Sequence, residues 1–253
     1  MTKKDNTSLF SGRVQNYIKY RPTYPTSLLD LLAMHCNLNP THVIADVGSG
    51  TGILTEMFLK HGNPVYAVEP NAEMRSAAEK LLERYPNFTS VGAGAEATTI
   101  RSQSVDFVTA AQAFHWFDHP AARVEFLRIL KPHGWVVLVW NMPRIETPFE
   151  KEYDDLWRAE LKNAHEARDK YETYIEQFFT QTPVEHMMLE GVPQVMDCDQ
   201  LIGRVLSSSA AIQPGEAGYE AFIQKVRGIF ERHQQNGAIT LSYKTDVFLG
   251  QLV

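Results

Sequence analysis

The sequence predicts an α/β fold built on a doubly wound, mostly parallel sheet. Three observations carry that prediction. From residue 42 to residue 140, short apolar runs alternate with segments of helical apolar spacing, the pattern of strands covered by helices on both faces. A glycine-rich turn, Gly48-Ser49-Gly50-Thr51-Gly52, joins the first run to the helix after it, the place where open α/β sheets keep their ligand crevice. The 253 residues are 44% apolar and 21% charged, enough for one good-sized domain or a domain with an appended lobe.

The elements follow in order. Residues 10–25, FSGRVQNYIKYRPTYP, form an aromatic and basic segment stopped by Pro22 and Pro25. Ser27 is placed to cap a helix whose apolar face is Leu28, Leu29, Leu31, Leu32 and Leu38. Residues 42–47 are the first strand, and the helix beyond the glycine turn carries Ile53, Leu54, Met57 and Phe58 on one stripe. Gly62-Asn63-Pro64 ends it, and 65–68 is a second strand closing on Glu69. A helix over 73–85 carries Met74, Ala77, Ala78, Leu81 and Leu82. Strands are expected at 88–91, 105–110 and 135–140, with a helix over 120–130 between the last two. Past Asn141 the rhythm breaks. A charged, aromatic helical stretch spans 149–179, a strand 184–195, helices 197–209 and 216–235, and strand-like alternation 238–252.

Composition narrows the function. The net charge of −6 offers nucleic acid or anionic lipid no long-range attraction, so neither a nucleic-acid nor a membrane partner is expected. The longest apolar run, 135–140, is far too short for a span, and no apolar stretch follows the two N-terminal lysines as a signal peptide would require. Cys36 and Cys198 sit in no C-x-x-C and read as a reduced pair in a cytoplasmic protein.

Alternate glycines let a backbone turn tightly and approach a ligand. The dinucleotide fingerprint needs a glycine at position 53, which is Ile53, and this weakens a nicotinamide-dependent oxidoreductase, the first rival reading. Glu69, nineteen residues after Gly50, can accept hydrogen bonds from both ribose hydroxyls of an adenosine; the bland alternative is a solvated glutamate in a β–α turn.

Residues 43–52, 65–74, 93–97, 106–116 and 130–134, in that order and spacing, resemble the class I S-adenosylmethionine-dependent methyltransferases. The resemblance implies a seven-stranded sheet with its last strand antiparallel, and S-adenosylmethionine as methyl donor. It implies that Gly48, Ser49 and Gly50, with Asp46 before them, line the methionine and ribose portion, and that Glu69 takes the ribose hydroxyls. Asn71 and Met74 would flank the adenine, Glu96 and Ala97 would stand at its amino edge, and Gln112 near the methionine end. The family's L-K-P-G-G turn reads Leu130-Lys131-Pro132-His133-Gly134 here, with Gly134 left to supply the turn.

Three further stretches, 20–25 (YRPTYP), 241–246 (LSYKTD) and 111–117 (AQAFHWF), look like the small-molecule, type 11 branch that includes trans-aconitate methyltransferase-like proteins. Gly203-Arg204 with Ser207-Ser208-Ser209 fits the same branch, although Ala210-Ala211 stands where a tyrosine is expected. This implies a small-molecule acceptor methylated on oxygen, a carboxylate or a hydroxyl, ahead of nitrogen or carbon. A non-catalytic S-adenosylmethionine-binding protein is the second rival.

His115 at the crevice mouth is a candidate general base or orienting donor, or else a structural cap. His115, Asp118 and His119 lack a third ligand at metal spacing, so no metal is expected. Trp116 is either core or a wall over the sulfonium, where cation–π attraction acts. Tyr17, Tyr20, Arg21 and Tyr24 make a candidate lid. Arg21 pairs with the carboxylate of the methionine moiety, with an acidic acceptor, or in an ordinary surface ion pair. Tyr153 with Trp157, and Tyr171, Tyr174, Ile175 and Phe178, read as packing stripes, and Glu150, Glu152, Asp154 and Asp155 as a solvated helix start. The chain divides into an N-terminal lid and helix at 1–39, a donor-binding core at 40–141, and a helical insertion with the closing strands of the same sheet at 142–253.

Overall fold

The expected rhythm of the first half becomes structure almost element for element. The computed structural model describes residues 13–160, 171–179 and 182–252. Helices α1 (Val14–Tyr20) and α2 (Ser27–Cys36) precede strand β1 (Ile44–Val47), followed by α3 (Ile53–His61), β2 (Val65–Val68), α4 (Ala72–Leu82), β3 (Phe88–Val91) and β4 (Val105–Ala111). A single 3₁₀ turn, Phe114–Trp116, leads to α5 (His119–Ile129) and β5 (Leu130–Pro143). Then come α6 (Pro148–Glu160), α7 (Tyr171–Phe178), β6 (Val184–Glu190), β7 (Gln194–Met196), α8 (Cys198–Leu206), α9 (Tyr219–His233), β8 (Ile239–Leu241) and β9 (Tyr243–Gln251).

Seven strands form one sheet in the order β3-β2-β1-β4-β5-β9-β6. The first five run parallel, and β9, the last strand of the chain, runs antiparallel between β5 and β6. The order reverses direction between β1 and β4, so the crevice opens at the carboxyl end of β1. The central parallel strands β1, β2 and β4 are mostly apolar and buried because helices cover both faces. Val47, Val108, Phe126 and Leu138 belong to the core on one face, and Leu32, Phe58, Val139 and Leu249 to the core on the other.

A third apolar cluster belongs to the later segments. Tyr153 and Leu156 of α6 pack with Leu201 and Val205 of α8, Phe222 and Val226 of α9, and Leu241 and Tyr243. The stripe of Tyr153 and Trp157, whose rings meet edge to face at 5.9 Å, therefore serves the insertion and not the main sheet.

Several expectations need correction. The helix expected to be capped by Ser27 starts at Ser27, with Thr26 at its N-cap and no side-chain cap bond. The stretch 184–195 is two strands. Gly191 lies so close to Tyr243 that a Cβ would stand 2.6 Å from the Tyr243 Cβ and 2.8–2.9 Å from its backbone, and the strand breaks there, passing from the main sheet into a ribbon of β7 and β8. The run 238–252 divides in the same way at Ser242. Gly134 supplies no positive φ: His133 takes the left-handed conformation, at φ 64°. The glycine is needed because a Cβ there would meet the Leu130 side chain at 2.7 Å and the Asp106 carbonyl at 3.0 Å.

Of the acidic helix start, Asp155 is exposed as expected, but Glu150 is not. Glu150 is buried; its Oε2 accepts the amides of Glu146 and Thr147 and its Oε1 that of Ser242. Ile175 and Phe178 are buried in the core, while residues 10–12 and the side chain of Tyr171 lie outside the described residues. No helix among the described residues is long and apolar enough to cross a membrane.

Candidate active site

The glycine turn works by geometry. Gly48, Gly50 and Gly52 all hold positive φ (70°, 57° and 86°), a region that costs a side-chain-bearing residue free energy. Gly48 is also confined, since a Cβ there would stand 2.4 Å from that of Ala113. The amides of Gly48 and Ser49 both donate to the Val68 carbonyl, at 2.8 and 3.1 Å, which ties the turn to the end of β2.

Glu69 completes that tie. Its Oε2 accepts the Gly50 amide and its Oε1 the Asn71 amide, both at 2.8 Å. Burial raises its carboxyl above the ordinary value, and the two amide bonds pull it back down. Each oxygen keeps a second lone pair for a further donor.

Asn71 caps α4, its Oδ1 accepting the Met74 amide at 2.9 Å, and Met74 is buried beneath it. Asp46 is a brace. Its oxygens accept the hydroxyls of Thr55 and Thr109 at 2.6 and 2.9 Å, and burial pushes its pKa up to about 6.

The crevice at the β1 end is lined by Tyr17, Tyr24, Asp46, Gly48, Ser49, Ile53, Leu54 and Ala111. The hydroxyl of Ser49 is buried there without a hydrogen-bond partner. Of the expected site, Tyr17, Tyr24, Asp46, Gly48 and Ser49 thus meet in one place, with Gly50 and Glu69 beside them. Others turn elsewhere. Gln112, at φ 55°, sends its Nε2 to the Asn141 carbonyl at 2.7 Å. Glu96 and Ala97 are exposed, and Glu96 Oε1 accepts the Asp118 amide at 2.7 Å. Tyr20 faces α8, its ring lying where a Cβ on Gly203 would be, 2.1 Å away.

His115 and Trp116 sit on the 3₁₀ turn with ring centroids 4.8 Å apart. Burial, and then the positive charges of Arg21 and His119, hold the His115 imidazole down to about 4, so it is neutral at physiological pH. His119 stacks on Phe114 at 4.5 Å, with its Nε2 3.1 Å from the Phe114 carbonyl oxygen. Among the described residues, no group of three or more His, Cys, Asp or Glu could hold a metal ion.

Arg21 lies over the Tyr17 ring at 4.7 Å and donates from Nη2 to the Ser207 carbonyl at 2.9 Å. Its Nε is buried and unpartnered. Among the described residues, the surface ion pair that its sequence context allowed is not formed. Arg204 had no place among the expected site residues; it is buried, and its Nε donates to the Tyr243 hydroxyl at 3.1 Å. Both residues stand in the stretches that pointed to the small-molecule branch, and that was the only sequence signal for Arg204.

Residues 45–138 match the family model described as "Methyltransferase domain". A methyltransferase-like protein of Schizosaccharomyces pombe is 33% identical over 142 residues, covering 56% of this chain and 54% of the relative. The match thus spans about half the length of that curated relative. Among solved structures, a chain of Anaeromyxobacter dehalogenans named for a type II methyltransferase superposes with TM-score 0.62 at 23% identity, covering 91% of this chain and 97% of that one. A methyltransferase of Geobacter sulfurreducens solved with S-adenosyl-L-homocysteine superposes with TM-score 0.54 at 16% identity, covering 97% and 100%. At these identities the two structures show the shared fold.

Proposed function

We propose that this chain, whose residues 45–138 match a methyltransferase-domain model, is a class I S-adenosylmethionine-dependent methyltransferase that methylates a small acidic acceptor on oxygen, with a carboxylate preferred to a hydroxyl. The residues present fit the donor. Gly48 and Gly50 leave the approach to the turn free of side chains, the Ser49 hydroxyl faces the crevice in need of a partner, and Glu69 is held by two amides with lone pairs to spare for a ribose. When bound, the donor supplies a methyl carbon already activated by its sulfonium.

The chain then has to position the acceptor and exclude water, which is most of the catalysis in an in-line displacement. Tyr17 and Tyr24 wall the crevice, and Trp116 and His115 stand on the turn after β4. A carboxylate acceptor has no proton to lose. That suits His115, whose pKa of about 4 makes it a weak base and leaves it the role of a neutral orienting group.

The observation that carries the choice of acceptor is Arg21, whose guanidinium lies against a crevice-lining tyrosine with a buried, unpartnered Nε–H. A carboxylate is the natural partner for a fork of that geometry. The test is methyl transfer from labelled donor to a panel of carboxylic acids and phenols, read by mass. Transfer to acids, lost in Glu69→Ala and Gly48→Arg, is the expected result. Donor binding with no transfer to any panel member would favour a non-catalytic binding protein, and nicotinamide binding without S-adenosylmethionine binding an oxidoreductase.

A further inference from the structure

The main sheet has two outer strands, and they are not alike. β3 is four residues long. β6 is seven residues long and runs against β9 in unbroken register. Among the described residues it pairs with β9 alone. An edge of that length is a template for further pairing unless a proline, a bulge or uncompensated charge blunts it. β6 has neither proline nor bulge. Its two carboxylates are engaged within the chain: Glu185 Oε2 lies 3.3 Å from His35 Nδ1, and Arg144 Nη2 donates to both oxygens of Glu190 at 2.6 and 2.7 Å.

The direction of the main-chain groups follows from one bond. The Gly191 amide donates to the Tyr243 carbonyl. Pairing alternates along an antiparallel ladder, so Glu185, Met187 and Leu189 turn their main-chain groups toward β9, and Val184, His186, Met188 and Glu190 turn theirs outward. Side chains alternate too. Met187 and Leu189 pack against the core that holds Leu28 and Leu32 of α2. On the opposite face His186 stacks on Phe248 with ring centroids 4.1 Å apart, its Nε2 3.1 Å from the Asp246 carboxylate. Met188 shares that face and is 59% exposed.

We propose that the outer edge of β6 is the contact surface of a homodimer: β6 of one copy pairs antiparallel with β6 of a second about a two-fold axis at Met188, and the two sheets become one. A contact of this symmetry requires a strand that complements itself. Centred on Met188, the pairing sets His186 opposite Glu190 of the second copy, an imidazole against a carboxylate, and the symmetry repeats the match. Met188 covers its own counterpart. Met187 stands opposite Leu189 of the second copy and carries the apolar core across the junction. The outward residues exchange both of their main-chain hydrogen bonds. A pairing centred on His186 would oppose imidazole with imidazole. One centred on Met187 would set Val184 against Glu190 and His186 against Met188, with no opposite charges matched. An unrelated extended peptide could supply the hydrogen bonds, but the doubled charge match belongs to this strand paired with itself.

A junction over residues 186–190 falls short of the ~1,600 Å² of a standard interface, so the dimer is reversible, with a dissociation constant on the order of 10 μM. It requires nothing of the acceptor or of the reaction.

The test is the oligomeric state of the full chain, measured by sedimentation velocity from about 1 to about 200 μM. A reversible monomer–dimer equilibrium is the expected result. Met188→Lys sets two ammonium groups on the axis and should weaken the dimer by at least about tenfold. Met188→Leu keeps the apolar contact and should stay within about threefold of wild type. Both variants change an exposed side chain and should unfold within about 3 °C of wild type. Single cysteines read the register under mild oxidation, scored above the background of the native Cys36 and Cys198. Met188→Cys should cross-link two copies, since its Cα atoms face each other about 5.5 Å apart. Val184→Cys should not, being roughly 26 Å from its counterpart. A chain that stays monomeric over the whole range, or a dimer that Met188→Lys leaves intact, would overturn the proposal. Cross-linking through position 184 in place of 188 would overturn the register, and the charge match with it.

Discussion

On the side of the crevice proposed for the donor the main chain does the holding, whereas on the side proposed for the acceptor nearly everything is held by side chains from distant positions. The backbone amides of Gly48 and Ser49 donate to the Val68 carbonyl and those of Gly50 and Asn71 to the Glu69 carboxylate, all within one β–α–β stretch. Arg21, Gln194, Arg204, Ser207 and Tyr243 come together from α1, β7, α8 and β9. Backbone geometry tolerates little change of residue type where φ is positive. A side-chain cage can be rebuilt around another ligand with the scaffold kept. The contrast explains how one donor site can serve many acceptors.

Two glycine substitutions probe the two sides separately. Gly48→Val puts a β-branched side chain at φ 70° with its Cβ 2.4 Å from Ala113. Donor affinity measured by calorimetry should fall by at least ~100-fold. Gly203→Ala pushes a methyl into the Tyr20 ring on the other side. It should raise the acceptor KM by about tenfold and leave donor affinity unchanged. An equal loss of donor and acceptor binding in Gly203→Ala would show that the two sides are not separable.

The smallest effect expected is in the pH dependence of stability. The His115 imidazole is held at about 4 when folded and returns to its ordinary value of about 6.5 when unfolded. The unfolded chain therefore takes up a proton that the folded chain refuses. This contribution to stability is present above pH 6.5 and is lost as pH falls from about 6.5 to about 4. Denaturant titrations at pH 7 and pH 5 should show a smaller drop for His115→Gln than for wild type. An identical drop in both would remove His115 from the account.

Much of the donor side was legible in the order of residues because its causes are local. Glycine spacing marks the turn, apolar runs mark the strands, and Val65–Val68 and Phe88–Val91 fall where the pattern puts them. Even there, local reading did not reveal the structural partners of those side chains. Asp46 and Asn71 carry the residue types of a binding site and also act as a brace and a helix cap, and Gln112, at positive φ, donates to the Asn141 carbonyl.

The acceptor side was much less legible. Nothing near Arg204 in sequence reveals that its Nε will donate to the Tyr243 hydroxyl, since that depends on where β9 is laid down. For the same reason 184–195 looked like one strand: the break at Gly191 is imposed by the Tyr243 backbone, fifty-odd positions later.

The position of β9 has a consequence for how the chain is made. Among the described residues β6 pairs with β9 alone, and β9 lies between it and β5. During synthesis β6 therefore leaves the ribosome with no neighbour, and it waits through all of residues 191–242 for one. Its edge is open for that interval, the condition in which nascent chains associate wrongly. When β9 arrives it fills the gap in the sheet and brings Tyr243 to Arg204 in the same event. Sheet closure and formation of the Arg204–Tyr243 contact are then one folding step, and a chain that has not finished the first has no means of attempting the second.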